Sequence, residues 1–133
     1  MDTQKIAVAQ DCLAAAYAGS MTFPDIVGKL ISAGFEGYLV DYRRAAAIYY
    51  PAEGDAIELA APKSHGPVAA TFDPAALEAA VRAAQANAPG YSYDGFCGQA
   101  VEAGCAGYLV SFPGRRAVYF GRSAEIHTEN FPN

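Results

Sequence analysis

The sequence repeats itself at an offset of 70 residues, and no other feature constrains the fold as strongly. Shifting the chain by 70 positions places Gly37–Val40 on the identical tetrapeptide Gly107–Val110. This agreement predicts two copies of one supersecondary unit, residues 1–50 and 73–133, joined by a connector at 51–72. Further identities join Gly28 to Gly98, Ala33–Gly34 to Ala103–Gly104, Ala47 to Ala117 and Tyr49 to Tyr119.

Each copy is predicted to begin with two helices. Apolar residues recur at helical spacing in both first helices, and Asp73–Pro74 supplies an N-cap and a first-turn proline in the second copy. Each second helix begins at a hydroxyl cap, Thr22 or Ser92. It ends at a glycine suited to a left-handed C-cap, Gly34 or Gly104.

A β-hairpin is predicted after each second helix. Gly37–Tyr42 and Gly107–Phe112 are rich in aromatic and β-branched residues, and each precedes a short turn and a second such run. Pro113–Gly114 predicts a type II turn with the positive φ at glycine, whereas Arg43–Arg44 requires a different turn in the first copy. The candidate third strands are Ile57–Leu59 and Glu125–Thr128.

The alternation of side chains indicates how these elements pack. Tyr38, Val40 and Tyr42 share one face of the hairpin, so we expect a helix layer to cover that aromatic face. The resulting fold class is α+β, a two-layer sandwich from an internal duplication with a mainly antiparallel sheet. Both hairpins are expected to join one sheet about a pseudo-twofold axis, and 133 residues suit a single domain.

Composition argues against several function classes. With 53% hydrophobic and 17% charged residues, the chain is expected to fold. A formal charge of −5 argues against nucleic-acid binding, and no stretch approaches the length of a membrane span. The absence of a signal-peptide pattern and of a CxxC pair favours a cytoplasmic protein with reduced thiols, and no cofactor is predicted.

Gly28 and Gly98 occupy equivalent positions inside the second helices. Glycine there costs about 0.5–1 kcal/mol relative to alanine, so a packing reason is expected. We interpret both as points of close contact between helices, with a ligand site as the alternative.

The C-terminal segment carries the candidate site. On a strand, His127 and Glu129 would share one face, where they could bind a metal or transfer a proton. The alternative is an edge strand protected by charged residues. The residues that could complete such a site are Glu125, Arg122, Tyr119 and His65.

Cys97 and Cys105 match Val27 and Phe35 of the first copy, so we interpret both as core residues. The alternative, a nucleophilic cysteine, requires a nearby base that the sequence does not supply.

Two further features indicate contacts with other molecules. Arg43–Arg44 and Arg115–Arg116, at the hairpin turns, are possible anion contacts or exposed turn charges. Nine tyrosines and seven phenylalanines exceed the need of one small core, so we expect an aromatic surface for a homodimer or a protein partner.

Several segments resemble the YdfO-like family: Met21–Pro24, Gly37–Tyr42, Ala103–Cys105, and Gly114–Arg122 followed by His127, Glu129 and Phe131–Pro132. The resemblance covers nearly the whole chain. It implies an α+β fold and no established activity, cofactor or catalytic residue, in a family of small uncharacterised bacterial proteins. Some members come from prophages, and some are labelled phage envelope protein. Ser64–His65 resembles a Ser-His step of the family, after a segment that is longer and more apolar here.

The leading hypothesis is a non-enzymatic binding or regulatory module that uses an aromatic sheet face or the seam between the copies. One alternative is a small metal-assisted hydrolase, or another enzyme, centred on His127 and Glu129. A phage structural component is the other.

Overall fold

The computed structural model describes residues 3–63 and 65–132. Its elements follow one order twice, two helices and then three strands. The first set is α1 (Thr3–Ala18), α2 (Phe23–Ser32), β1 (Phe35–Asp41), β2 (Ala46–Pro51) and β3 (Ile57–Ala60). The second set is α3 (Pro74–Gln85), α4 (Tyr93–Glu102), β4 (Cys105–Ser111), β5 (Arg116–Gly121) and β6 (Ile126–Asn130). The bounds of α4, β4 and β5 lie 70 residues after those of α2, β1 and β2. That the two halves arose by internal duplication stays a prediction.

The predicted caps set the helix ends. The Thr22 hydroxyl accepts a hydrogen bond from Asp25 N at 3.3 Å, and the Ser92 hydroxyl accepts one from Gly95 N at 3.0 Å. Gly34 and Gly104 follow the two helices with φ of +93° and +84°. These left-handed residues end the helices and direct the chain into β1 and β4.

The strands form one antiparallel sheet in the order β3-β2-β1-β4-β5-β6. The α+β class and the common sheet are therefore confirmed, and the two candidate third strands form its edges. At the centre, β1 pairs with β4 and Leu39 lies opposite Leu109, its equivalent at the 70-residue offset. In this register, a local twofold axis passes between Leu39 and Leu109.

The helices cover one face of the sheet, as the alternation predicts. Buried residues of all four described helices, including Leu30 and Leu77, pack in one cluster with Tyr38 and Tyr108 of the sheet. This cluster draws on both halves of the chain, so neither half has a separate core.

Both hairpin turns have the same geometry, which corrects the turn prediction. Within the two turns, the residues with positive φ are Ala45 and Arg115, each at 53°, and Gly114 is not among them. Side-chain acceptors fix the turns, since Asp41 Oδ1 accepts from Arg43 N and Arg44 N at 3.1 Å, and Ser111 Oγ accepts from Gly114 N at 2.9 Å. The left-handed residue therefore falls directly before the returning strand, and proline-glycine does not dictate a type II turn.

The expected role of the two helix glycines is also wrong. A Cβ added at Gly28 would meet no atom within 4 Å, so Gly28 is not a helix crossing. A Cβ at Gly98 would lie 3.0 Å from the imidazole of His65 in the connector. Gly98 therefore makes room for a side chain of the connector and not for another helix.

The connector is more ordered than its lack of periodicity indicates. It contains β3 and then runs along α4, where Ala69 N donates to Val101 O at 3.0 Å and Asp73 N donates to Ala103 O at 2.7 Å. A Cβ at Gly104 would lie 2.2 Å from Thr71 O. The close approach explains why glycine suits this position beyond its positive φ.

Candidate functional site

His127 and Glu129 lie on the edge strand β6 and point toward the helix layer. His127 is paired with Tyr119 across the sheet and Glu129 with Ala117, whose side chains face the core. His127 Nε2 and Glu129 Oε2 are 2.6 Å apart. Glu129 is only 8% exposed, and it is the buried charged residue of the part of the chain that the structure describes.

Arg82 of α3 completes this group, which we call the β6 ion cluster: Arg82, His127 and Glu129. Arg82 Nη1 donates to Glu129 Oε1 at 2.6 Å, and Arg82 Nη2 donates to Glu78 Oε1 at 3.2 Å. The sequence indicates the second contact through its i,i+4 spacing, but the first joins residues 47 positions apart. Sequence reasoning therefore missed Arg82 as a member of the site.

The electrostatics of the cluster favour an ionised Glu129 carboxylate with a structural role and not a catalytic one. Burial acts to raise the pKa of Glu129, but hydrogen bonds from Arg82 and His127 outweigh it, and the pKa is lowered. The same contact with Glu129 raises the pKa of Arg82. Since each carboxylate oxygen already has a partner, the arrangement ties β6 to α3.

Of the other predicted members, Glu125 and Arg122 lie elsewhere, whereas Tyr119 lies beside His127 on the neighbouring strand. Glu125 precedes β6, and its Oε1 accepts a hydrogen bond from Ser123 N at 3.0 Å. Arg122 Nη1 donates to Val68 O at 3.4 Å, and Tyr119 is buried with its ring centroid 6.4 Å from that of His127. These contacts leave the β6 ion cluster with three members.

His65 belongs to a different place. Its Nε2 is 3.1 Å from Asp94 Oδ1 on α4, while its ring packs on Gly98. The hypothesis that His65 joins His127 at one metal site is therefore not supported. Over residues 3–63 and 65–132, no group of three or more His, Cys, Asp or Glu side chains could hold a metal ion. Ser64, the other half of the predicted Ser-His step, is outside the described residues.

The cysteines lie in the core, as expected. Cys97 is 2% exposed and Cys105 is fully buried. Burial raises the pKa of Cys97 and raises the pKa of Cys105 to about 11. Both thiols are thus protonated at neutral pH, which does not suit a nucleophile.

The two arginine pairs do not form one anion site. Because β1 and β4 are antiparallel, their hairpin turns lie at opposite ends of the sheet. Arg44 Nη2 is 2.7 Å from Glu58 Oε1, Arg116 Nε donates to Gly114 O at 3.1 Å, and Arg115 Nη2 donates to Pro132 O at 3.1 Å.

The tyrosines lie mainly between the helices and the sheet, which corrects the reasoning from aromatic content. Tyr38 stacks on Tyr49 at 5.4 Å between ring centroids, and Tyr108 lies 5.0 Å from Tyr119. Burial raises the pKa of all four phenols. The aromatic face of the sheet is therefore core, and it is covered by the helices.

The opposite face of the sheet, which we call the open face, carries no helix. An apolar row crosses its four central strands. In this row Ile48 is paired with Leu39, Leu39 with Leu109, and Leu109 with Val118. Leu109 is 43% exposed. Alternation places Tyr50 and Phe120 on the same face, since Tyr49 and Tyr119 point into the core. Phe120 also packs against a small buried cluster of Val68, Val101 and Ala106.

Compared with known proteins, the chain matches no family model and no curated protein. The resemblance to the YdfO-like family therefore stays a prediction. Within residues 3–63 and 65–132, no helix has both the length and the apolar character needed to cross a membrane.

Proposed function

We propose that this protein is a non-enzymatic binding module that contacts a protein partner through the open face. The observation that carries the proposal is the apolar row Ile48, Leu39, Leu109 and Val118 at the centre of the open face, in which Leu109 is 43% exposed and Ile48 is 9% exposed. An antiparallel sheet can face water on one side, but that side then alternates to polar residues. Here the central positions of the open face are apolar instead.

The location of the row adds to this argument. Leu39 and Leu109 lie where β1 and β4 join the two halves of the chain. From sequence, the contact surface is expected on the aromatic face or at this seam, and the open face contains the seam. Contiguous apolar surface of this kind is typical of protein contact sites.

The enzyme alternative, centred on His127 and Glu129, has less support. Both oxygens of Glu129 are bonded within the chain, and Glu129 is sequestered between β6 and α3. A general acid or base must reach a substrate proton, and this carboxylate faces its own arginine and histidine instead.

A cytoplasmic location is part of the proposal. Cys12, Cys97 and Cys105 are free and buried, an arrangement suited to a reducing compartment. Membership in the YdfO-like family is also proposed, and it leaves the binding function open.

Site-specific photo-crosslinking tests the proposal in living cells. Benzoylphenylalanine replaces Leu109 on the open face or, as the control, Ile31, which is 52% exposed on α2 of the helix layer. We expect a discrete adduct from position 109 that disappears when Leu39→Lys is added. Position 31 should give no such adduct.

Two results would contradict the proposal. One is the absence of an adduct from position 109. The other is an adduct of equal yield from both positions, because non-specific contact does not distinguish the two faces.

A further inference from the structure

We infer that the partner of the open face is a second copy of this chain, so that two open faces pack against each other in a homodimer. This inference rests on the proposed function and names its partner. It is carried by the polar groups at the margin of the face, its symmetry, its area and a recess beside Leu109.

Three charged groups at the margin of the open face, Asp41, Glu58 and Arg116, already have partners in their own chain. Glu58, at the β3 end of the apolar row, is paired with Arg44 at 2.7 Å. Asp41 accepts the amides of its own turn, and Arg116 donates to Gly114 O. A partner with many charges would have to break these contacts, whereas a partner with an apolar centre and internally satisfied margins would not. The open face of a second copy has that character.

The symmetry of the row suits an interface of a surface with itself. The order across the sheet is Ile48, Leu39, Leu109, Val118, and the 70-residue offset exchanges Leu39 with Leu109 and Ile48 with Val118. A twofold dimer requires a patch that complements itself. A row with its own local twofold presents nearly the same sequence of side chains in either direction.

The area of the face is sufficient for a specific interface. Strands about 4.8 Å apart and about 20 Å long give six strands a face of about 600 Å². Two copies would bury about 1,200 Å² in total, which is the lower end of the range for stable protein interfaces.

The two halves of the open face differ at one pair of equivalent positions. The Phe120 ring lies over Gly107, where a Cβ would be 2.8 Å from Phe120 Cζ. At the equivalent position in the first half, a recess of about 290 Å³ remains between Gly37, Tyr50, Leu109 and Pro113, with Glu36 and Ser111 also in its lining. This recess can accept an apolar side chain of the second copy, next to the protruding Leu109.

Sedimentation velocity over a concentration series from about 1 to 100 µM tests the inference, a range that covers the affinities common for such interfaces. The unsubstituted chain is compared with Leu39→Lys, Leu109→Lys and the control Ile31→Lys. We expect dimers for the unsubstituted chain and the control. Each substitution on the open face should raise the dissociation constant at least about 100-fold, because a twofold interface buries two copies of each lysine.

The outcomes separate this inference from the proposed function. A monomeric unsubstituted chain at 100 µM overturns the inference, and so does a dimer that Leu109→Lys leaves intact. If the chain is monomeric but position 109 crosslinks to a different protein, the binding function stands and the second copy is the wrong partner. If the chain is monomeric and no adduct forms, both fail. The series on the unsubstituted chain remains decisive even if a lysine variant does not fold.

Discussion

Glu129 is bonded by Arg82 and His127 while almost fully buried, so its charge contributes to stability. Glu129→Gln keeps the size of the side chain and removes that charge. We expect the free energy of unfolding at pH 7 to fall by about 1–2 kcal/mol, a value reduced because Arg82 is half exposed. Urea denaturation measures it. Glu125→Gln is the matched control, since Glu125 is exposed, and should change stability by less than about 0.5 kcal/mol.

The stability difference between the unsubstituted chain and Glu129→Gln should depend on pH. Although burial acts to raise it, the pKa of Glu129 in the folded protein is lowered from the ordinary value of 4.5 by the hydrogen bonds from Arg82 and His127. The carboxylate therefore stabilises the fold above that value, and the contribution is lost as the pH falls through the folded-state pKa. The gap between the unsubstituted chain and Glu129→Gln should be present at pH 7 and should narrow as the pH falls through the folded-state pKa. A gap that widens on acidification would contradict this assignment.

The β6 ion cluster shows how far sequence alone reaches at this scale. The two-residue spacing predicts that His127 and Glu129 share a face, because side chains on a strand alternate. The contact of Arg82 with Glu129 and the contact of His65 with Asp94 depend on how α3 and the connector pack against elements that are distant in sequence. No local pattern encodes that placement.

The two helix glycines offer a paired test at the scale of the element. Gly28→Ala enters open space, so it should stabilise the protein by about 0.5–1 kcal/mol through helix propensity. Gly98→Ala places a methyl group 3.0 Å from the His65 ring, and displacing the ring should cancel that gain. Thermal unfolding of both variants measures the difference.

Removal of the imidazole provides the control. In a His65→Ala background, Gly98→Ala should regain the stabilisation seen at Gly28. Equal stabilisation by both alanines in the natural background would mean that His65 does not pack on α4.

The hairpin turns show why local rules fail where strand pairing decides. Pro113–Gly114 predicts a type II turn by residue preference alone. The paired strands and the Ser111 side chain instead place the left-handed residue at Arg115, as at Ala45 in the other hairpin. The helix caps were predicted well because their signals lie within the element itself, while the predicted first strands begin two residues after β1 and β4.

At the scale of the whole molecule, the repeat predicted the α+β class and the common sheet. Composition misdirected the reasoning about surfaces, because a count of tyrosines does not indicate which face of a sheet they occupy. The helices cover Tyr38 and Tyr108 and leave the aliphatic Leu39 and Leu109 on the other face. The choice of face depends on how the helices of both halves pack in one layer, which no local pattern encodes.

A shared core predicts that the two halves unfold together. Leu30 and Leu77 are both 0% exposed, lie in different halves and belong to one cluster. Leu30→Ala and Leu77→Ala should each lower the free energy of unfolding by about 2–5 kcal/mol, while Ile31→Ala should cost little because Ile31 is exposed. Hydrogen exchange of amides in β2 and β5 reports each half separately, and either substitution should accelerate both strands alike. If Leu30→Ala accelerated exchange only in β2, the halves would be separate folding units, and the sheet would join two domains at the β1–β4 seam.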